Sequence, residues 1–215
     1  MLVVNFKTYE SATGLKAIEL AKLHEKIALE TGVKIAIAVQ AVDIFAIVQA
    51  VKIPVFAQHI DIASFGSFTG SVTSEAIKSA GAVGTLLNHS EHRLDFEILK
   101  NSIARAQEVG LQTIVCAATA EEGGKIAEFN PDFIAVEPPE LIGGDISVST
   151  AQPEIISDAA KLVGANKLLV GAGIKNSSDI RVALQRGAVG VLLASGVTKA
   201  KDPEAVLRDL AKGFK

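Results

Sequence analysis

The chain has 215 residues, 49% hydrophobic and 21% charged, with a formal net charge of −3. That length suits one α/β barrel of roughly 200–250 residues, and the near-neutral balance excludes a disordered chain and argues against a nucleic-acid partner. No stretch reaches the roughly 18 uninterrupted apolar residues that span a bilayer, and the opening MLVVNFKTYE lacks a signal-peptide core, so a cytoplasmic location without a membrane partner is expected. Cys116 is the single cysteine; it excludes an internal disulfide and is expected to be a small buried apolar side chain.

In chain order, short β-branched runs alternate with longer stretches of helical period. The expected strands are 2–6, 34–39, 54–59, 83–88, 112–117, 133–137, 167–171 and 189–194. Each is followed by an expected helix, over 12–30, 41–50, 74–80, 95–109, 120–129, 152–163, 177–186 and 202–212. Gly110, Gly164 and Gly187 stand just past helical runs, and Asp202 before Pro203 reads as an N-cap with proline at N1. Eight such units close a parallel barrel, so the expected fold is α/β, a single (β/α)8 barrel domain over 1–215. An open doubly wound sheet would carry a glycine-rich turn after its first strand, where this chain has Phe6-Lys7-Thr8-Tyr9. Gly171-Ala172-Gly173 starts like a dinucleotide fingerprint, yet it follows the seventh strand and lacks the third glycine.

In such a barrel the functional side chains gather at the carboxyl ends of the strands. Strand 1 ends in Asn5-Phe6-Lys7, and alternation puts Asn5 and Lys7 on one face; the lysine either neutralises an anion or is simply solvated. Strand 4 runs into Asn88-His89-Ser90-Glu91-His92-Arg93, read either as the capped start of a helix or as a site where His89 polarises an oxygen. A helical turn starting near Ser90 would depress the pKa of that histidine. His89 and His92 could share a helical face, but no third ligand follows at a metal-binding spacing, so no metal is expected. Strand 6 ends at Glu137-Pro138-Pro139, where a buried carboxylate would be tuned toward proton abstraction and an exposed one would be a cap. The following Glu140-Leu141-Ile142-Gly143-Gly144-Asp145 has the composition of a lid with an apolar tip. Gly171-Ala172-Gly173 and Ala194-Ser195-Gly196 end strands 7 and 8, either as tight turns or as a phosphate cradle.

Taken together, N-x-K at Asn5 and Lys7, H-S-E at His89 to Glu91, E-P at Glu137 and Pro138, and the two small-residue turns resemble the triosephosphate isomerase family over essentially the whole chain. The forms NHSEHR, VEPPELIG, GAGI and LLASGVTKAKDP resemble its compact archaeal branch. The resemblance implies a TIM barrel that interconverts glyceraldehyde 3-phosphate and dihydroxyacetone phosphate in glycolysis and gluconeogenesis. It also implies Glu137 as base, neutral His89 as electrophile, Lys7 and Asn5 on the substrate, and Glu91 orienting Lys7. Ile142, Gly143, Gly173, Ala194 and Ser195 would hold the phosphate, with no cofactor and no metal. The implied partners are the small phosphorylated triose and further copies of the chain, as a homotetramer or dimer.

Three departures from the family pattern stand out. Gly144-Asp145 replaces the usual Gly-Thr-Gly lid hinge, and Ser71 follows Gly66-Ser67-Phe68-Thr69-Gly70 where a glutamate is common. Only four residues precede Asn5, so a less secure barrel seam is expected at the first strand. Two rival readings are a phosphate-binding aldolase, which needs a buried Schiff-base lysine that strand 6 does not offer, and a non-catalytic binding barrel.

Overall fold

A computed structural model describes residues 1–141, 149, 153–164 and 166–215. Eight parallel strands close on themselves in sequence order: β1 (Leu2–Asn5), β2 (Ile35–Val39), β3 (Val55–Ala57), β4 (Gly84–Leu87), β5 (Gln112–Ala117), β6 (Phe133–Val136), β7 (Leu168–Val170) and β8 (Gly190–Leu193). Around them lie α1 (Leu15–Thr31), α2 (Ile44–Ala50), α3 (Ser74–Ser79), α4 (Phe96–Glu108), α5 (Ala120–Ala127), α6 (Pro153–Val163), α7 (Ser177–Gln185), α8 (Ser195–Thr198) and α9 (Pro203–Lys212). This is the expected (β/α)8 barrel.

Both faces of the sheet are apolar because each faces a different core. On β1, Val3 points into the barrel with Ala38, Phe56, Leu86, Ile114, Cys116, Ala135, Leu169 and Leu192. Leu2 and Val4 point outward, where they pack with Ile37, Leu87, Ile134 and the buried sides of the helices. The one fully buried ring of the interior cluster among the described residues is Phe56, and Gly84 makes room for it: a Cβ there would lie 2.5 Å from the ring. Because side chains alternate along a strand, the residue two positions beyond the last inward-facing apolar residue also faces the axis, at the barrel mouth: Asn5 after Val3, Gln58 after Phe56 and Glu137 after Ala135.

The terminal signals hold at several helices. Asp202 accepts from the Ala205 N–H with Pro203 following it, and Gly110, Gly164 and Gly187 have φ of 72°, 93° and 100°. Three expectations change. α1 starts at Leu15, since Glu10–Ala12 forms a 3₁₀ turn and the Gly14 N–H is held by both carboxylate oxygens of Asp43 at 3.2 Å. A short helix, α8, follows β8 where the small residues Ala-Ser-Gly gave only a turn. The seam at β1 is not the weak point. β1 is in register with β2 from Leu2↔Ile35 to Asn5↔Ala38 and with β8 from Leu2↔Val191 to Val4↔Leu193. Shorter ladders occur at β3 with β4, through Phe56↔Gly84 and Ala57↔Thr85, and at β7 with β8.

α1 buries His24 completely, its Nδ1 donating to the Leu20 carbonyl at 2.7 Å and its ring tilted against Phe6 at 5.3 Å. Burial lowers its pKa to about 4. The unfolded chain therefore takes up this proton first, near pH 6.5, so stability is intact above that pH and is lost as pH falls toward 4, by about 3 kcal/mol. His24→Leu is expected to remove that share of the acid loss, read as the difference between variant and parent in urea-unfolding free energy from pH 7 to pH 4. Parallel curves for the two proteins would reject the assignment.

Candidate active site

Asn5 is the last residue of β1 and is buried; Lys7 follows two positions on, at the mouth. Lys7 has a left-handed backbone, φ 48°, which costs an L residue about 1–2 kcal/mol. Its N–H donates to Asn5 Oδ1 at 2.9 Å and its carbonyl accepts from Gln58 Nε2 at 2.9 Å, so both polar backbone groups are tied down in that conformation. The ammonium meets Glu91 Oε1 at 2.7 Å. With Glu91 mostly exposed, this ion pair contributes little stability, and its effect is to hold the lysine head in one place.

At the end of β4, Asn88 donates from Nδ2 to the Cys116 carbonyl at 2.9 Å and accepts from the Leu94 N–H at 3.0 Å, so it pins the 89–94 turn to β5. His89 sits buried in that turn. The Glu91 N–H donates to His89 Nδ1 at 3.1 Å, which makes Nδ1 the acceptor and leaves the proton of the neutral ring on Nε2. Burial, then the nearby Lys7 charge, lowers the His89 pKa against a smaller opposing pull from Glu91. Being neutral, the ring makes no ion pair with Glu91, despite a 3.7 Å contact. No helix starts at Ser90; α4 begins only at Phe96, so burial and one backbone N–H do what a helix terminus was expected to do. His92 points elsewhere and stacks on His59 at 4.1 Å. Among the described residues no group of three or more His, Cys, Asp or Glu is placed to hold a metal.

Glu137 directly follows β6, its N–H extending the ladder to the Ala117 carbonyl at 2.9 Å. The side chain lies on the Ala135 face, 8% exposed. Its Oε2 is 4.0 Å from His89 Nε2 and, among the described residues, has no hydrogen-bond partner. Burial raises the carboxyl pKa to about 7, outweighing a hydrogen bond from Cys116 and the Lys7 charge, which lower it. Cys116 is buried as expected, with its thiol pushed well above the usual range, so it is not a nucleophile. The carboxylate stands between two cavities: one shared with Asn5, Lys7 and His89, and one behind it bounded by Ser90, Arg93, Cys116 and Pro139.

The first cavity is closed on its far side by Ala172, Gly173 and Ile174 after β7 and by Ala194, Ser195 and Gly196 after β8. Ala172 and Gly173 both have φ of 72°, so successive peptides turn sharply beside the cavity. Ala194 caps α8, and Ser195 and Gly196 form its first turn, whose N–H groups have no intrahelical acceptor. Asn5, Lys7, His89, Glu137, Gly173, Ala194 and Ser195 thus line one cavity, with Glu91 at its rim on Lys7. Ile142 and Gly143, together with the Gly144-Asp145 hinge, lie outside the described residues.

A family model described as triosephosphate isomerase matches residues 1–212. A triosephosphate isomerase of Methanosarcina barkeri is 47% identical over 215 residues, covering 98% of this chain and 97% of the relative. That of Methanocaldococcus jannaschii is 46% identical over 216 residues and covers 99% of each. The chain belongs to the triosephosphate isomerase family.

Within this family member, three residues at the mouth escape a reading based on strand-end motifs. Gln58 ends the run Val55-Phe56-Ala57, and alternation from Phe56 would have placed it inward. Tyr9 lines the cavity under the Lys199 ammonium, 5.1 Å from the ring centre, and no local pattern marks it. Gly171 belongs to the anticipated small-residue turn but has a different task. A Cβ at this position would lie 2.5 Å from both Cγ and Oε1 of Glu137. Gly171→Ala is therefore expected to push the carboxylate toward the rear cavity, with little loss of fold because only a side-chain end must move. The expected outcome is a turnover reduced about 10²-fold, the scale of a 1 Å misplacement, with a melting temperature within a few degrees of the parent. Unchanged turnover would show that the carboxylate does not need this space.

Proposed function

We propose that this chain interconverts D-glyceraldehyde 3-phosphate and dihydroxyacetone phosphate by proton transfer through an enediolate, a step of glycolysis and gluconeogenesis. The observation that carries the reading is a carboxylate with a pKa of about 7 whose Oε2 lies 4.0 Å from a neutral imidazole's Nε2, inside a cavity that also receives a lysine. A base must be ionised to act, and a pKa near the working pH gives both an ionised fraction and a strong driving force.

Glu137 takes the proton from the carbon beside the carbonyl; the C–H electron pair becomes the enediolate double bond and the carbonyl oxygen takes the negative charge. His89 offers its Nε2–H to both oxygens and passes a proton between them, and Glu137 then returns its proton to the neighbouring carbon. Lys7 stabilises the developing charge, Glu91 holds Lys7, and Asn5 positions the substrate. Gly173, Ala194 and Ser195, with Ile142 and Gly143, hold the phosphate through backbone N–H groups. A base, an electrophile and a cation complete this chemistry, so the reading includes no cofactor and no metal.

The reading extends to one domain over 1–215 that works in the cytoplasm as a homo-oligomer, a tetramer or a dimer. Supporting it, Phe65 and Phe68 in the loop after β3 are 82% and 52% exposed, apolar area that a second copy would cover. No helix among the described residues is long and apolar enough to cross a membrane.

A coupled assay with the two triose phosphates tests the activity. Glu137→Gln is expected to lose turnover by about 10²–10⁴-fold while inorganic phosphate still binds within a few-fold of the parent. In the parent, kcat/KM is expected to rise with pH through about 7 as Glu137 ionises. Equal weakening of binding and turnover in the variant, or a pH profile flat from 5 to 9, would contradict the role of Glu137. Sedimentation is expected to give a species larger than one chain; a monomer would remove the oligomer from the reading.

A further inference from the structure

Gln58 lies just beyond β3 on the same side as Phe56, half-buried beneath the mouth. Its Nε2 faces three acceptors: Lys7 O at 2.9 Å, Asn5 Oδ1 at 3.1 Å and Ala38 O at 3.4 Å. An amide nitrogen has two hydrogens, and the two shorter contacts take them. Turning the amide over would set its oxygen against three other oxygens, so these neighbours fix its orientation. Asn5 Oδ1 in turn accepts two hydrogen bonds, from Gln58 and from the Lys7 N–H. Both its lone-pair directions are used on the scaffold, which leaves the Asn5 Nδ2 hydrogens for the cavity that this residue lines.

We propose that Gln58 is a positioning residue: its amide clamps Asn5 and the left-handed backbone of Lys7, so that the Asn5 donor and the Lys7 ammonium converge on the substrate. The inference rests on the isomerase reading above for what that substrate is. The clamp answers a specific problem. At φ 48° an L residue is in a conformation that it leaves unless neighbours hold it, and the direction of its side chain turns with that angle. Gln58 holds the Lys7 carbonyl, and Asn5, itself held by Gln58, holds the Lys7 N–H. Neither role requires Gln58 to touch the substrate.

The test is a double-mutant cycle between Gln58→Leu and Lys7→Ala, read in kcat/KM and in the affinity for inorganic phosphate, with melting temperatures measured alongside. Gln58→Leu is expected to lower kcat/KM by about 10- to 100-fold and to weaken phosphate binding, with melting within a few degrees of the parent. Lys7→Ala is then expected to cost at least about tenfold less in the Gln58→Leu background than in the parent, because a lysine that is no longer aimed has less to lose. Gln58→Glu, of the same size but without the amide donors, replaces the leucine variant if that one does not fold. Additive losses, or a Gln58 variant within twofold of the parent, would overturn the proposal. An unaltered chain that turns over neither triose phosphate would instead sink the isomerase reading, while the phosphate-affinity cycle would still decide the clamp.

Discussion

The site depends on one unfavourable burial: a carboxylate placed at the end of β6 in a setting that disfavours its charge. A rise from the ordinary range to about 7 corresponds to roughly 3 kcal/mol of penalty on the ionised form. Nothing local in the strand compensates for it, because Phe133, Ile134, Ala135 and Val136 offer no polar partner. The Cys116 hydrogen bond and the Lys7 charge offset part of the penalty and leave a base poised near neutrality. Were either much stronger, the carboxylate would be a settled ion with a low pKa and little appetite for a carbon-bound proton. The weakness of a thiol as a donor is thus chemically apt at this position.

Barrel closure lets distant parts of the chain supply that balance. Residues 7, 89 and 137 are separated by about fifty to eighty positions along the chain, yet strand order brings β1, β4 and β6 around one axis. The interior below them is filled by Val3, Phe56, Leu86, Ile114, Ala135, Leu169 and Leu192, a packed floor that admits little movement of the strand ends. Above that floor the geometry depends on a few hydrogen bonds: Asn88 to β5, Glu91 to His89, and Gln58 to β1. Pre-organised dipoles of this kind need no rearrangement as charge develops, and that is where electrostatic catalysis gains most.

How legible this was depended on whether a residue's role was written in its own neighbourhood. The eight strands were readable because both faces of each are apolar, and Glu137 stood out because it ends such a run. The neutrality of His89 was expected, but its cause was not: the pattern Asn88-His89-Ser90-Glu91 suggested a helix start, whereas the turn folds back so that one N–H meets Nδ1. α8 was missed because three of its four residues, Ser195, Gly196 and Thr198, are poor helix formers, and the helix exists through its place on the barrel rather than its propensity. The role of Gly171 was out of reach of local reading, since it is set by the side chain of a residue 34 positions earlier.

Conformational strain follows the same division between floor and rim. Lys7, Asn88 and Ala172 all have left-handed backbones, and each stands one or two residues beyond the end of β1, β4 or β7, at the mouth. Two further non-glycine residues with positive φ are asparagines, Asn130 and Asn166, which tolerate that region and lie in loops at the opposite end of the barrel. Lysine and alanine have no such excuse. Their strain, on the order of 1–2 kcal/mol each, is sustained by the closed sheet beneath them, and it sets one cation and one turn of backbone in directions that relaxed strand ends would not give. Glycine or asparagine would adopt the backbone of positions 7 and 172 at lower cost. At position 7 the cost sets an ammonium group at the cavity that Asn5, His89 and Glu137 also line, a charge that glycine could not supply.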